Sequence, residues 1–307
     1  MLKNAPPYSN SSYWDNVVTQ YFQGDYRYTL VPDIERQLWE YFKYCLKSKN
    51  RFFFENPLIS VIKDSFEKNT FVLKKDTDVF RARNDDNHTL WWKTIDFYEL
   101  LETPYHIQSL ESMGYEHSKL EELRRNYEKT LNSPKNKYLK EKLDRGFQGY
   151  DAEDCGAPPS EKAKAGRCNS EGVAYLYVAQ EEHTAVAEIR PHTKDTISLA
   201  TLRPKRDLKL VDFFYDEKDT VHGEKFFYNT IQEEFSKINR GEIGEYLSTQ
   251  YITSLVENLG YDGLRFHSSL VKNGTNYVIF HPQDCEPCSS KICYLLDVQY
   301  QYFQLKP

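Results

Sequence analysis

The sequence is poor in the features that would place it in several large classes of protein. Six cysteines among 307 residues, irregularly spaced, make no disulfide framework of the secreted kind and fit reduced thiols. No stretch approaches the ~18 apolar residues of a membrane span. The opening MLKNAPPYSN lacks the apolar core of a signal peptide, so the expected address is the cytoplasm, with no membrane as partner. Excess positive charge is missing as well. Lys and Arg number 40 against 46 Asp and Glu, a formal charge of −6, which argues against nucleic acid as the partner. A strand, GxGxxG and helix in succession is also lacking, which argues against a Rossmann oxidoreductase. Internal repeats and low-complexity tracts are absent.

What remains is a folded, soluble composition, 39% hydrophobic and 28% charged, in a chain long enough for one catalytic domain and an accessory segment. From Asp33 to Lys49, Ile34, Leu38, Phe42, Cys45 and Leu46 recur at helical spacing. Asn56-Pro57 reads as a cap and first-turn proline before Leu58, Ile59, Ile62 and Phe66. At Phe71 the pattern changes to short β-prone pieces, FVLKK and DVFRAR, so a helical accessory domain over 1–69 is expected to give way to a catalytic domain over 70–282. The charge-dense stretch 116–145 reads as a solvated helical insertion broken near Ser133-Pro134. Residues 148–171 are rich in Gly and Pro and read as an exposed loop able to carry binding residues. Beyond it, VAYLYVA at 173–179 predicts a buried strand, EEHTAVAEI a short helix or a helix-to-strand passage, and TISLATL and DLKLVDF further strands. Helices are expected over 224–240 and 246–259, strands from Leu264 and over 277–280, and a tail over 283–307.

Three positions in this frame invite chemistry. Arg167, in Gly166-Arg167-Cys168-Asn169, ends the loop where backbone can approach a ligand, and a guanidinium fork pairs well with phosphate. An isolated loop arginine is equally well a surface or salt-bridged residue. Tyr177, ten residues on, shares a strand face with Val173 and Tyr175, and a strand tyrosine is usually a packing residue. Glu188 stands among Ala185, Val186, Ala187 and Ile189, and an acid in apolar company needs a partner. An Arg167–Glu188 ion pair would supply one; a carboxylate facing a cationic transition state is the functional reading. Further on, YDGLRFHSS at 261–269 places Ser268 at a turn, with Asn276 in NGTNYVIF.

Taken in order, FRAR at 80–83, GRCN at 166–169, AYLYVA, TAVAEIRP, YDGLRFHSS and NYVIF resemble the blocks of the RES-domain family, named for Arg, Glu and Ser, over about residues 79–282. The resemblance implies an α+β fold with a mixed-sheet core similar to ADP-ribosyltransferase toxins, preceded here by the helical segment. It implies an enzyme that degrades NAD by hydrolysis or phosphorolysis, as in toxins of toxin–antitoxin pairs. NAD is then the substrate, inorganic phosphate a candidate acceptor and an antitoxin protein a candidate partner. Arg167, Tyr177, Glu188 and Ser268 would line the pocket. Arg81 matches another family arginine and Asn276 a frequent asparagine. Cys168 stands where an aromatic residue is common, and Phe266-His267 where Tyr-Pro is common.

The chemistry of these residue types agrees with that implication. Nicotinamide leaves as a neutral ring and the ribose becomes oxocarbenium-like, a charge that a fixed Glu188 carboxylate can stabilise; the same acid could instead orient a ribose hydroxyl or the incoming water or phosphate. Arg167 and Arg81 would hold the pyrophosphate, Tyr177 would pack on a ring, and Ser268 would hydrogen-bond the nicotinamide end. Transfer of ADP-ribose to a macromolecule uses the same pocket, and a non-catalytic nucleotide-binding module is the alternative from a different class. Cys285, Cys288, Cys293 and His281 contain one proper ligand pair where a zinc site wants two, so no metal is expected. The scattered histidines and the pairs Glu181-Glu182 and Glu233-Glu234 are assigned no chemistry.

Overall fold

A computed structural model describes residues 7–24, 34–48, 56–84, 95–134, 150–193, 195–214, 230–235 and 246–298. The chain divides into two compact units. The first holds residues 1–81, 156–188 and 201–288; the second holds 82–155, 189–200 and 289–307.

Among the described residues the first unit begins with three helices. In α1 (Ser11–Phe22) the Asn10 side chain caps the start by accepting the Tyr13 N–H. In α2 (Ile34–Ser48) the 3.6-residue stripe Ile34, Leu38, Phe42, Cys45 and Leu46 is buried. Helix α3 (Pro57–Lys68) starts as the sequence predicts, with Pro57 in the first turn and Asn56 Oδ1 accepting the Leu58 N–H at 2.8 Å. Extended chain follows in β1 (Thr70–Leu73) and β2 (Val79–Asn84).

Further strands are β3 (Leu176–Ala179), β4 (Thr196–Pro204), β5 (Leu208–Asp212), β6 (Gly263–His267), β7 (Thr275–Ile279) and β8 (Cys285–Tyr294). They form one eight-stranded sheet in the order β1-β5-β6-β7-β3-β2-β4-β8. The sheet is mixed: β5 and β6 run parallel, while β1–β5, β6–β7, β3–β7 and β2–β3 are antiparallel. The parallel pair needs a long crossover, and that connection carries α7 (Leu247–Asn258). The fold is therefore α+β with a helical N-terminal region. Gly263 fits its place because a Cβ there would lie 2.0 Å from the Val278 carbonyl oxygen of the adjacent strand.

Side chains alternate across the sheet, and one face carries Val211, Leu264, Phe266, Val278 and Tyr175. These join Trp14, Val17, Trp39, Phe42, Leu58, Phe66, Ile252 and Val256 in one hydrophobic core. Helices α3 and α7 pack on strands β5 and β6, α1 and α2 join the same core through them, and packing is continuous across the change from helix to strand at Asn69. Short helix α6 (Glu182–Glu188) follows β3 directly.

In the second unit, α4 (Ile95–Ser112) and α5 (His117–Leu131) pack together. Gly114 at φ +76° ends the first, and the Tyr115 N–H returns to the Leu110 carbonyl. Arg124 of α5 pairs with Glu111 and Glu121 at 2.9 Å each. The charged helix is thus present up to Leu131; its expected continuation to residue 145 lies outside the described residues. The helix expected over 224–240 is described only at 230–235, which are helical. Among the described residues no helix is long and apolar enough to cross a membrane.

Candidate active site

The register collects the candidate residues at one end of the sheet. Ala179 pairs with Asn276, and Asn276 with Phe266. Tyr177, two residues before Ala179, therefore shares a face with Asn276. Ser268 lies just past the end of β6. Its neighbours in the turn fix it: Ser268 N–H donates to the Gly274 carbonyl at 2.8 Å, and its hydroxyl accepts the N–H groups of Leu270 and Val271 at 3.1 Å each. Gly274 leaves no room for a side chain, since a Cβ would meet Thr184 Oγ1 at 2.8 Å and the Ser268 Cβ at 3.1 Å.

Glu188 ends α6. The helix is set in place at its other end by Glu181, whose carboxylate accepts the Thr184 hydroxyl at 2.9 Å and the Thr275 N–H at 3.2 Å. This orientation brings Glu188 to the β6–β7 end, where Oε1 accepts Ser268 Oγ at 2.8 Å and Asn276 Nδ2 at 2.6 Å. Both donors converge on one carboxylate oxygen. Among the described residues no donor reaches the other, Oε2, and the side chain is half-buried. The acid in apolar company thus finds its partners in a hydroxyl and an amide. The Arg167 guanidinium, an alternative partner in the sequence, donates instead to the Phe235 carbonyl at 2.8 Å.

Phe235 packs on Phe266 and Phe213, so Arg167 is attached to the same sheet face as Tyr177 and Asn276. The Tyr177 hydroxyl donates to Asn169 Oδ1 at 2.7 Å and accepts the Cys168 N–H at 3.2 Å. Burial, reinforced by the adjacent Cys168 thiol, pushes the Tyr177 phenol well above its ordinary range despite the opposing charge of Arg167. Burial likewise pushes the Cys168 thiol up to about 12 against Tyr177, Thr253 and Arg167, so it stays protonated and unreactive.

Arg81 stands apart. Phe80 is the residue opposite Ala179, so alternation places Arg81 on the reverse face, from which it donates to the Tyr177 carbonyl at 2.9 Å. The same reverse face holds Arg265, stacked between the Phe71 and Phe214 rings and paired with Asp212 at 2.8 Å. Burial and the Arg265 charge hold the neighbouring His267 imidazole below its usual pKa.

The RES domain family matches this chain over residues 143–297. The chain belongs to the RES-domain family. The matched RES segment contains Arg167, Tyr177, Glu188, Ser268 and Asn276; it begins after Arg81 and runs on through β8. A solved chain from the M. tuberculosis MbcT–MbcA toxin–antitoxin complex is similar at 12% identity, over 46% of this RES-domain chain and 76% of that one, with a TM-score of 0.29. No curated protein matches.

Two residues essential to this arrangement escape sequence reasoning. Asn169 lies inside the GRCN block, but nothing in its type announces that it donates to the carbonyls of Lys164, Ser170 and Val173. Gln250, in the body of α7, carries no motif at all, yet its Nε2 donates to the Gly166 and Asn169 carbonyls at 2.9 Å each.

Proposed function

We propose that this RES-domain chain is an NAD-degrading enzyme that cleaves the nicotinamide–ribose bond, passing ADP-ribose to water or to phosphate. The reading is supported above all by Glu188, whose Oε1 is fastened by Ser268 and Asn276 while Oε2 is left without a donor among the described residues. A carboxylate held in this way presents one oxygen at a fixed place. That is what stabilisation of an oxocarbenium-like ribose requires, because the charge appears only as the neutral nicotinamide leaves. Cleavage by water yields nicotinamide, ADP-ribose and a proton; cleavage by phosphate yields nicotinamide, ADP-ribose 1″-phosphate and a proton, which the attacking hydroxyl loses in either case.

In this reading Ser268 acts on Glu188 and not on the nicotinamide. A hydroxyl offers one donor and two acceptor positions, and Glu188, Leu270 and Val271 take all three. Arg167 spends one N–H on Phe235 and keeps others for an anionic pyrophosphate. Arg81, through the Tyr177 carbonyl, supports the strand on which Tyr177 sits. An enzyme that drains NAD harms its own cell, which fits a toxin or defence effector restrained by an antitoxin protein. Expression that depletes NAD and arrests growth would support this role; expression without either would count against it.

The decisive experiment follows NAD, nicotinamide and ADP-ribose with purified protein, with and without phosphate, in wild type and Glu188→Gln. The variant keeps size and hydrogen bonding but removes the charge. Its kcat is expected to fall by about 100-fold or more. Undiminished NAD loss in Glu188→Gln would refute the mechanism, and labelled ADP-ribose appearing on protein would redirect the reading to macromolecular transfer.

A further inference from the structure

Arg167 is carried on a turn whose polar backbone atoms are fastened from several sides. The Gly166 N–H donates to the Asn169 carbonyl at 2.8 Å and closes the turn. The Cys168 N–H donates to the Tyr177 hydroxyl, which donates onward to Asn169 Oδ1. A Cβ on Gly166 would lie 2.7 Å from that Oδ1 and 3.1 Å from the Tyr177 hydroxyl, so the turn has no slack on this side. What joins it to the rest of the fold on the other side is Gln250. Its single amide nitrogen spans the two carbonyls that bracket Arg167, those of Gly166 and Asn169.

Helix α7 is a firm support for that amide. Ile252 and Val256 are wholly buried in the core, and Tyr251, next to Gln250, packs edge-on against Phe42 of α2. A helix-surface glutamine ordinarily stays in water, because ordering its long side chain costs conformational entropy. Here both amide protons are used on one turn.

We propose that Gln250 is a positioning residue of this site: by bridging the carbonyls on either side of Arg167 it aims the guanidinium at the anionic part of the substrate. This deepens the NAD reading and rests on it. A charge-assisted contact whose direction is lost should weaken binding more than chemistry, because Glu188 and its two donors lie on other elements.

The test compares Gln250→Ala and Gln250→Glu with wild type. The first removes the bridge; the second keeps its length but sets a carboxylate against two carbonyl oxygens. Expected are a rise in KM for NAD of about tenfold, a matching loss of affinity for ADP-ribose by calorimetry, and kcat within about twofold. In a double-mutant cycle with Arg167→Ala the effects should not add, since Gln250 acts through Arg167. An unchanged KM, a loss confined to kcat, or strictly additive effects would overturn the proposal. Amide exchange over residues 164–170 decides the bridge without reference to activity: faster exchange at Gly166 and Cys168 in either variant supports it, and unchanged exchange overturns it. Wild-type protein that neither consumes NAD nor binds ADP-ribose would refute the NAD reading, while the exchange comparison would still decide the bridge.

Discussion

At the scale of single residues, Ser268 is a small side chain with no freedom left. Its proton goes to Glu188 and its lone pairs to the N–H groups of Leu270 and Val271. Ser268→Ala therefore removes one of the two fastenings of Oε1 and leaves Asn276 alone to orient the acid. A hydrogen bond to a charged group is worth ~1.5–3 kcal/mol, so kcat for NAD cleavage should drop about 10- to 100-fold while KM stays nearly constant. Ser268→Thr, which keeps the hydroxyl, should recover most of the rate. Steady-state kinetics of the two variants would check both statements. The sequence makes Glu188, Ser268 and Asn276 legible because each stands in a block of recognisable composition. Their mutual contacts are not legible, because 80 and 88 residues separate the partners and only the strand register brings them together. Gln250 is harder still, since a polar residue on a helix surface is the commonest thing such a position contains.

Among the elements, those with a regular apolar period are the ones the sequence predicts well. Helix α2 buries its stripe as the spacing demands. Helix α3 begins at the cap and proline that announce it. Because Asn56 is buried and satisfies an otherwise orphaned N–H, Asn56→Ala should cost about 1 kcal/mol of global stability, read as a lower urea midpoint at unchanged m-value. Strand β8 is the contrary case. Seven of its ten residues show the pattern Beieeee, without the alternation that marks a half-buried strand, and its cysteines and charges resemble a tail. Pairing at the sheet edge, a tertiary effect, makes it a strand. The β5–β6 parallel pairing is likewise invisible locally, because it depends on a crossover of some fifty residues between Asp212 and Gly263.

For the molecule as a whole, stability is tied to the protonation of thiols and phenols kept from water. Cys168 and Cys285 are both buried, and burial raises each to about 12, against an ordinary ~8.5 in an unfolded chain. The native state therefore holds protons that the unfolded state has already released above pH ~8.5. Stability is fully present below that value and is lost as pH rises toward 12. Urea unfolding at pH 8 and pH 10 should differ by about 1 kcal/mol or more for each thiol, and Cys168→Ala should flatten the dependence. Composition makes this globular core legible in outline, but which helices share it is decided by packing: α1, α2 and α3 meet Val211, Phe213, Leu264 and Phe266 in one cluster. That shared core also orders events during synthesis. These helices are made before the strands that share their core, which follow only after some 140 to 210 further residues. Glu188 similarly waits for Ser268 and Asn276 before its carboxylate is oriented. Under the NAD reading proposed above, a growing chain therefore has no oriented acid to offer a substrate until synthesis has passed Asn276, 88 residues beyond Glu188.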